Sequence, residues 1–140
     1  MPVQFFFLDT KIALSDRTRL KRFIPKIFKE ENTGLESLSY IFCSNEYILD
    51  INKKYLNHNY YTDIITFDIS EKKEGIVGEV YISVEMIREN AKKFDTTIKE
   101  ELHRVIFHGA LHLCGFKDKT LSKKKKMTAA EDKYLGIYFK

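Results

Sequence analysis

The chain has 140 residues, a formal net charge of +4, 44% hydrophobic and 14% aromatic residues. That apolar content excludes a disordered chain, and the length is near the modal size of one domain, so a single domain over residues 1–140 with its own core is expected. Two cysteines, Cys43 and Cys114, exclude a disulfide framework, and no run approaches the roughly 18 apolar residues of a membrane span, so a reducing, cytoplasmic setting is expected.

Residues 3–8 read as a short apolar strand, set apart from a signal peptide by the lack of a basic segment ahead of it. Ser15 is placed to cap a helix on which Leu20, Phe23, Ile24, Ile27 and Phe28 recur at helical spacing, ending near Asn32-Thr33-Gly34. A strand over 37–43 follows. Ser44 then caps a second helix carrying Tyr47, Ile48, Ile51 and Tyr55, which leads into a loop over 57–61. Residues 64–67 and 79–83 read as strands separated by a Glu/Lys/Gly turn. Helices are predicted over 84–94, 98–114 and 122–138. No repeat or Gly/Ser-rich linker interrupts the chain, and the alternation is an α/β pattern.

The most specific segment is His108-Gly109-Ala110-Leu111-His112-Leu113-Cys114-Gly115-Phe116-Lys117-Asp118. Residues four apart share a helix face, so His108 and His112 present their imidazoles to one ion from adjacent turns. Gly115 falls where a helix closes through a left-handed glycine, which lets the chain double back and bring Asp118 to the same ion. Three protein ligands with a fourth position open to water is the arrangement of a catalytic zinc rather than a structural one. Cys114, about 100° per residue around the helix, lies on another side and is expected to pack.

Leu102, Val105, Ile106, Phe107, Ala110, Leu111 and Leu113 make most of this helix apolar, leaving Glu101, Arg104, His108 and His112 as a narrow polar strip. Such a helix belongs in a core, and burial is expected to keep both imidazoles neutral. His103 lies across the helix and is expected to be structural. Two helical histidines alone are often ordinary half-buried polar residues, and it is the added glycine and carboxylate that favour a metal site. Gly109 occupies the position where the H-E-x-x-H peptidase signature carries its general base, so peptidase chemistry lacks a base. Hydrolysis stays open, because zinc brings the pKa of its water to about 7.

This segment resembles the H-G-x-L-H-L-x-G-Y-D-H signature of the YbeY family, bacterial metal-dependent endoribonucleases and ribosomal RNA maturation factors. Residues 62–67 (Thr-Asp-Ile-Ile-Thr-Phe) are similar to the family's T-D-V-L-S-F segment and residues 78–83 to its G-D-I-x-I-S strand. Ile51-Asn52 with Tyr55 matches its L-N-x-x-Y helix end, and the matches keep their order over roughly residues 40–135. The resemblance implies a four-stranded mixed sheet with the metal-bearing helix packed centrally. It implies one zinc ion, or another divalent transition metal, held by His108, His112 and Asp118, the last standing where the family usually has a third histidine; carboxylate oxygen is an accepted zinc donor. It also implies a single-strand endoribonuclease of small-subunit ribosomal RNA 3′ maturation and ribosome quality control, with ribosomal RNA and the small subunit as partners. Leu56 departs from the pattern: the family has an arginine there, so no phosphate-binding guanidinium is available. That departure keeps a second class open, a non-catalytic metal-containing ribosome assembly factor that binds RNA or a ribosomal protein.

Lys117, Lys119, Lys123, Lys124, Lys125 and Lys126 follow the expected ligands directly. A cationic rim there would hold an RNA backbone in a salt-dependent way, the alternative being a solvated helix start. His58, Tyr60 and Tyr61 are candidates either to stack unpaired bases or to pack locally. Asp63 and Glu79 are acidic residues of the family-like strands, each either catalytic or a supporting group, and no general base is assigned to either.

Overall fold

The computed structural model describes residues 2–57, 62–71 and 75–140. His58, Tyr60 and Tyr61 therefore lie outside the described residues. The elements are β1 (Val3–Phe7), α1 (Arg17–Glu30), β2 (Leu35–Cys43), α2 (Asn45–Tyr55), β3 (Ile64–Asp68), β4 (Ile76–Ser83), α3 (Val84–Lys93), α4 (Ile98–Leu113) and α5 (Leu121–Tyr138). They form the expected α/β architecture around one mixed sheet of order β1-β2-β4-β3. β1, β2 and β4 run parallel, and β3 pairs antiparallel with β4.

Strand alternation divides the apolar residues between two faces. Leu38, Tyr40 and Phe42 of β2 with Val80 and Ile82 of β4 point to the main core, where they meet Leu20, Ile24 and Ile27 of α1 and Leu102, Ile106 and Ala110 of α4. Cys43 and Ile65 point the other way, against Ile48 and Ile51 of α2. Sequence periodicity locates these elements well, with three shifts. α1 begins at Arg17 behind Asp16, whose left-handed φ of 52° makes it the residue at the cap, so Ser15 is not the cap. An aspartate tolerates that conformation, and its side chain makes no capping hydrogen bond. β2 and β4 each begin earlier than the expected 37 and 79, at Leu35 and Ile76, because backbone pairing of Leu35 with Ile76 and of Ser37 with Val77 carries the ladder past Glu36 and Gly78, which interrupt the apolar pattern.

α4 starts at Thr97, whose side chain accepts the Glu100 N–H at 3.0 Å, and ends at a closed turn. Gly115, at φ +102°, donates its N–H to the His112 carbonyl at 3.0 Å, and Phe116 donates to Leu111 at 3.0 Å. This pair of bonds satisfies two carbonyls left open by the helix end and reverses the chain. The helix packs between α1, α3 and α5 and against β3 and β4, the central position expected for it.

Its approach to the sheet depends on two glycines. A Cβ on Gly109 would lie 2.9 Å from Val80 Cγ1 and 3.1 Å from Ile64 Cδ1; one on Gly78 of β4 would lie 2.7 Å from Leu113 Cδ1. Tyr40 adds a polar tie, its buried hydroxyl donating to the Ile106 carbonyl at 2.8 Å. Gly109 is thus a packing requirement: a glutamate there would point into β4, so the H-E-x-x-H arrangement is sterically barred as well as absent. Gly109→Glu is expected to lower stability by more than about 2 kcal/mol in urea unfolding, by overpacking and by burial of an unpaired carboxylate. Gly109→Ala should cost less, since alanine returns about 1 kcal/mol of helix propensity.

Candidate metal centre

The two helical histidines and the returning loop converge as their spacing requires. Asp118 Oδ2 lies 3.4 Å from His108 Nε2 and 3.3 Å from His112 Nε2, and the donor atoms of all three residues fall within 4.8 Å of one another. Bonds of about 2.0–2.2 Å in tetrahedral geometry put neighbouring donors about 3.3–3.5 Å apart, so the separations to Asp118 suit zinc or a metal of similar size. His108, His112 and Asp118 are a group that can hold a metal ion. Cys114 takes no part; it is half-buried and packs against the core, as expected.

Each imidazole is fixed through its other nitrogen. His108 Nδ1 is 2.5 Å from Glu131 Oε2, and His112 Nδ1 is 3.0 Å from the Phe116 carbonyl. Both partners accept only, so in the neutral rings the proton sits on Nδ1 and the Nε2 lone pairs face Asp118. Glu131 is itself gripped by Arg104, whose Nη1 donates to Oε1 at 2.9 Å while Nη2 reaches Asp132 at 2.7 Å. The Schellman turn that delivers Asp118 also supplies the Phe116 carbonyl, so one stretch of backbone serves two of the three donors.

The charge balance corrects one expectation. Burial lowers the pKa of His108, but the hydrogen bond and charge of Glu131, helped by Asp118 and Asp63, outweigh it and hold the group above its ordinary value. His112 follows the expectation: burial first, and the neighbouring His108 second, hold it below. The two rings are inequivalent because only one has a carboxylate behind it.

Residues 7–138 match the family model described as Endoribonuclease YbeY. The chain belongs to the YbeY endoribonuclease family. A relative named Endoribonuclease YbeY from Cytophaga hutchinsonii is 47% identical over 133 residues, covering 95% of this chain and 93% of its own. Another of that name, from Karelsulcia muelleri, is 42% identical over 130 residues, covering 93% and 92%. The solution structure of TM1509 from Thermotoga maritima shares the fold with a TM-score of 0.64 at 28% identity, covering 95% of this chain and 86% of that one.

The donors open into a cleft of about 810 Å³. Of the six lysines expected at its rim, Lys119 and Lys124 line it; Lys117, Lys123, Lys125 and Lys126 are exposed without lining it. Leu56, at the YbeY arginine position, lines the cleft too. The two acidic candidates separate: Asp63 lines the cleft, raised above its ordinary value mainly by burial, with Asn90 donating to it at 3.3 Å. Glu79 points to the opposite face of the sheet from Val80 and accepts from the Tyr81 hydroxyl at 3.1 Å. His103 is buried, bonded through Nδ1 to the Lys99 carbonyl and stacked on Tyr138, a structural role as expected.

Glu131 is the site residue that motif spacing misses. Its signal is a carboxylate placed four residues after Met127 and four before Leu135, on the face of α5 that those buried residues turn inward. Replacing it with glutamine keeps the shape but removes the charge behind His108. Glu131→Gln is expected to weaken zinc binding about 10- to 100-fold in chelator competition, with the fold retained by circular dichroism.

Glu101, buried on the polar strip of α4, has its pKa pushed up to about 7, by desolvation first and the Asp63 charge second. Between its ordinary 4.5 and that value the folded protein holds a proton that the unfolded chain has lost. Its contribution is therefore fully present below about pH 4.5 and lost as pH rises through about 7. Urea unfolding at about pH 8 should find Glu101→Gln more stable than wild type by up to about 3 kcal/mol, the difference shrinking toward pH 5.

Proposed function

We propose that the protein is a metal-dependent endoribonuclease that cuts single-stranded RNA internally, using one zinc ion held by His108, His112 and Asp118. In this reading a single domain matures the 3′ end of small-subunit ribosomal RNA in a reducing cytoplasm, and contributes there to ribosome quality control. Among the described residues no helix is long and apolar enough to cross a membrane. The observation that carries the reading is the convergence of three donors, two of them already oriented by Glu131 and Phe116, at the wall of an open cleft in a chain of this family.

A divalent ion on these donors supplies Lewis acidity toward a phosphodiester and acidifies a water it binds. The chain's own residues do the positioning. Glu131 and the Phe116 carbonyl keep the Nε2 lone pairs turned inward. Lys119 and Lys124 on the cleft wall meet the phosphate charge of the strand. Leu56 and Phe94 line the same cleft and are 39% and 60% exposed, offering apolar surface to an unpaired base. That surface favours a single strand over a duplex, whose bases are stacked inside.

Leu56 also carries the rival reading, a metal-containing assembly factor that binds RNA or a ribosomal protein without cutting, because a leucine cannot replace a guanidinium on phosphate. Cleavage of a single-stranded ribosomal RNA fragment by wild type and His112→Ala, each with its metal content measured, separates the two. Wild type is expected to contain about one ion per chain and to cut internally. His112→Ala should lose the ion and at least about 100-fold in rate. Equal background cleavage by both proteins with RNA binding retained would favour the assembly factor.

A further inference from the structure

The positive charge of this chain falls largely in two segments, the lysines between Lys117 and Lys126 beside the cleft and the helix α1 away from it. α1 carries Arg17, Arg19, Lys21, Arg22, Lys26 and Lys29 against the single Glu30, so this one helix holds more net positive charge than the whole chain's +4. Arg19, Arg22, Lys26 and Lys29 are all exposed and follow one another at i, i+3, i+7 and i+10, which puts them on one face in a row roughly 15 Å long. Among the described residues none of the four has a carboxylate within ion-pair distance; Arg19 instead donates to the Tyr138 carbonyl and lies over the Tyr138 ring at 4.0 Å. Three neighbouring like-charge pairs repel along this face. The first turn has no acidic residue, and Arg17 and Arg19 stand at the positive end of the helix dipole, where cations are disfavoured. A face whose only task is solvation has no need of this one-sided charge.

The cleft offers the contrast. Among the described residues its lining carries Asp63, Asp68, Glu101, Asp118 and Glu131 against Arg104, Lys119 and Lys124, and Arg104 is committed to Glu131 and Asp132. Its pull on a polyanion is weak. α1 packs against a different face of α4, with Phe23 against Phe107 at 5.4 Å, about 100° around the helix from His108. There Arg17, Arg19, Arg22 and Lys26, against the single carboxylate of Asp16, rim a second concavity of about 750 Å³, to which Phe23 and Ile137 contribute apolar surface.

We propose that the basic face of α1 is a second RNA-binding surface, gripping the phosphate backbone of a single strand whose scissile segment lies in the cleft. The rim of cations suits phosphates, and the apolar contribution of Phe23 and Ile137 suits a base. The apolar face of α1, with Leu20, Ile24, Ile27 and Phe28, is buried in the core, so insertion into a membrane surface is closed to it. This inference rests on the endoribonuclease reading for its substrate but uses different residues.

The test compares wild type with Arg22→Gln/Lys26→Gln/Lys29→Gln, glutamine having nearly the same helix propensity. Two labelled single-stranded RNAs are used, one of about thirty nucleotides, long enough to reach both surfaces, and one of about three, roughly enough to occupy the cleft alone. The variant is expected to lose about tenfold or more in kcat/KM on the long RNA, with the slope of log affinity against log salt shallower by about 2, and little on the short one. Equal kcat/KM and equal salt slope on the long RNA, in protein that does cut RNA, would overturn the second surface and turn attention to an acidic protein partner. If wild type cuts neither RNA, it is the endoribonuclease reading that fails. Fluorescence anisotropy with the long RNA then still decides the surface: weaker binding by the variant supports it, and equal binding overturns it.

Discussion

The closeness of α4 to the sheet governs the rest of the structure. Gly109 and Gly78 remove side-chain bulk at two points of contact, and Ala110 is fully buried beside the first. With the helix axis drawn in, Val80 and Ile64 fill the space under Gly109, and Tyr40 can reach a backbone carbonyl of the helix. Interiors are packed as tightly as organic crystals, so such a contact fixes rotation as well as distance. Rotation matters here, because turning α4 by one residue would carry His108 and His112 out of the cleft and bring their apolar neighbours into it.

A fixed helix still needs its polar strip satisfied. Glu101, Arg104, His108 and His112 lie along one line of α4, and leaving such groups buried without partners would cost several kcal/mol each. α5 supplies the partners of Arg104 and His108, and the Phe116 carbonyl serves His112. Arg104 bridges Glu131 and Asp132, Glu131 passes to His108, and Met127, Tyr134 and Leu135 of α5 bury apolar surface around this chain. The same contact that secures α5 to α4 thus orients an imidazole of the candidate metal centre, which ties the site to the stability of the helix pair.

This explains which parts of the site are legible in the sequence. The histidine pair and Gly115 follow from helical geometry alone, and Asp118 follows from where the Gly115 turn sends the chain. The order and type of the elements follow from periodicity, with β2 and β4 longer than expected because backbone pairing carries the ladder past Glu36 and Gly78, which interrupt the apolar pattern. Glu131 lies thirteen residues beyond Asp118 on another helix, and its contact with His108 depends on how two helices pack, which spacing within one helix does not encode. The separation of Asp63 from Glu79 is of the same kind: it is set by strand pairing and facing, whereas the motifs show only that both are acidic. The inequivalence of the two histidines follows from Glu131 and is hidden with it.

The distribution of charge has a physical logic that the net value of +4 conceals. Carboxylates crowded around the three donors favour capture of a cation, and the same carboxylates repel a polyanion. A cleft that concentrated enough lysine to hold RNA strongly would also raise the potential at the donors and weaken their grip on a divalent ion. Screening decides how far apart the two requirements must be kept: exposed charges beyond a Debye length of about 8 Å at physiological salt scarcely feel one another. Placing part of the positive charge on the outer face of α1, which meets α4 about 100° around the helix from His108, lets both conditions be met in one chain. The cost is borne by α1, whose like charges oppose its own folding and whose apolar face must be fully buried to offset that opposition.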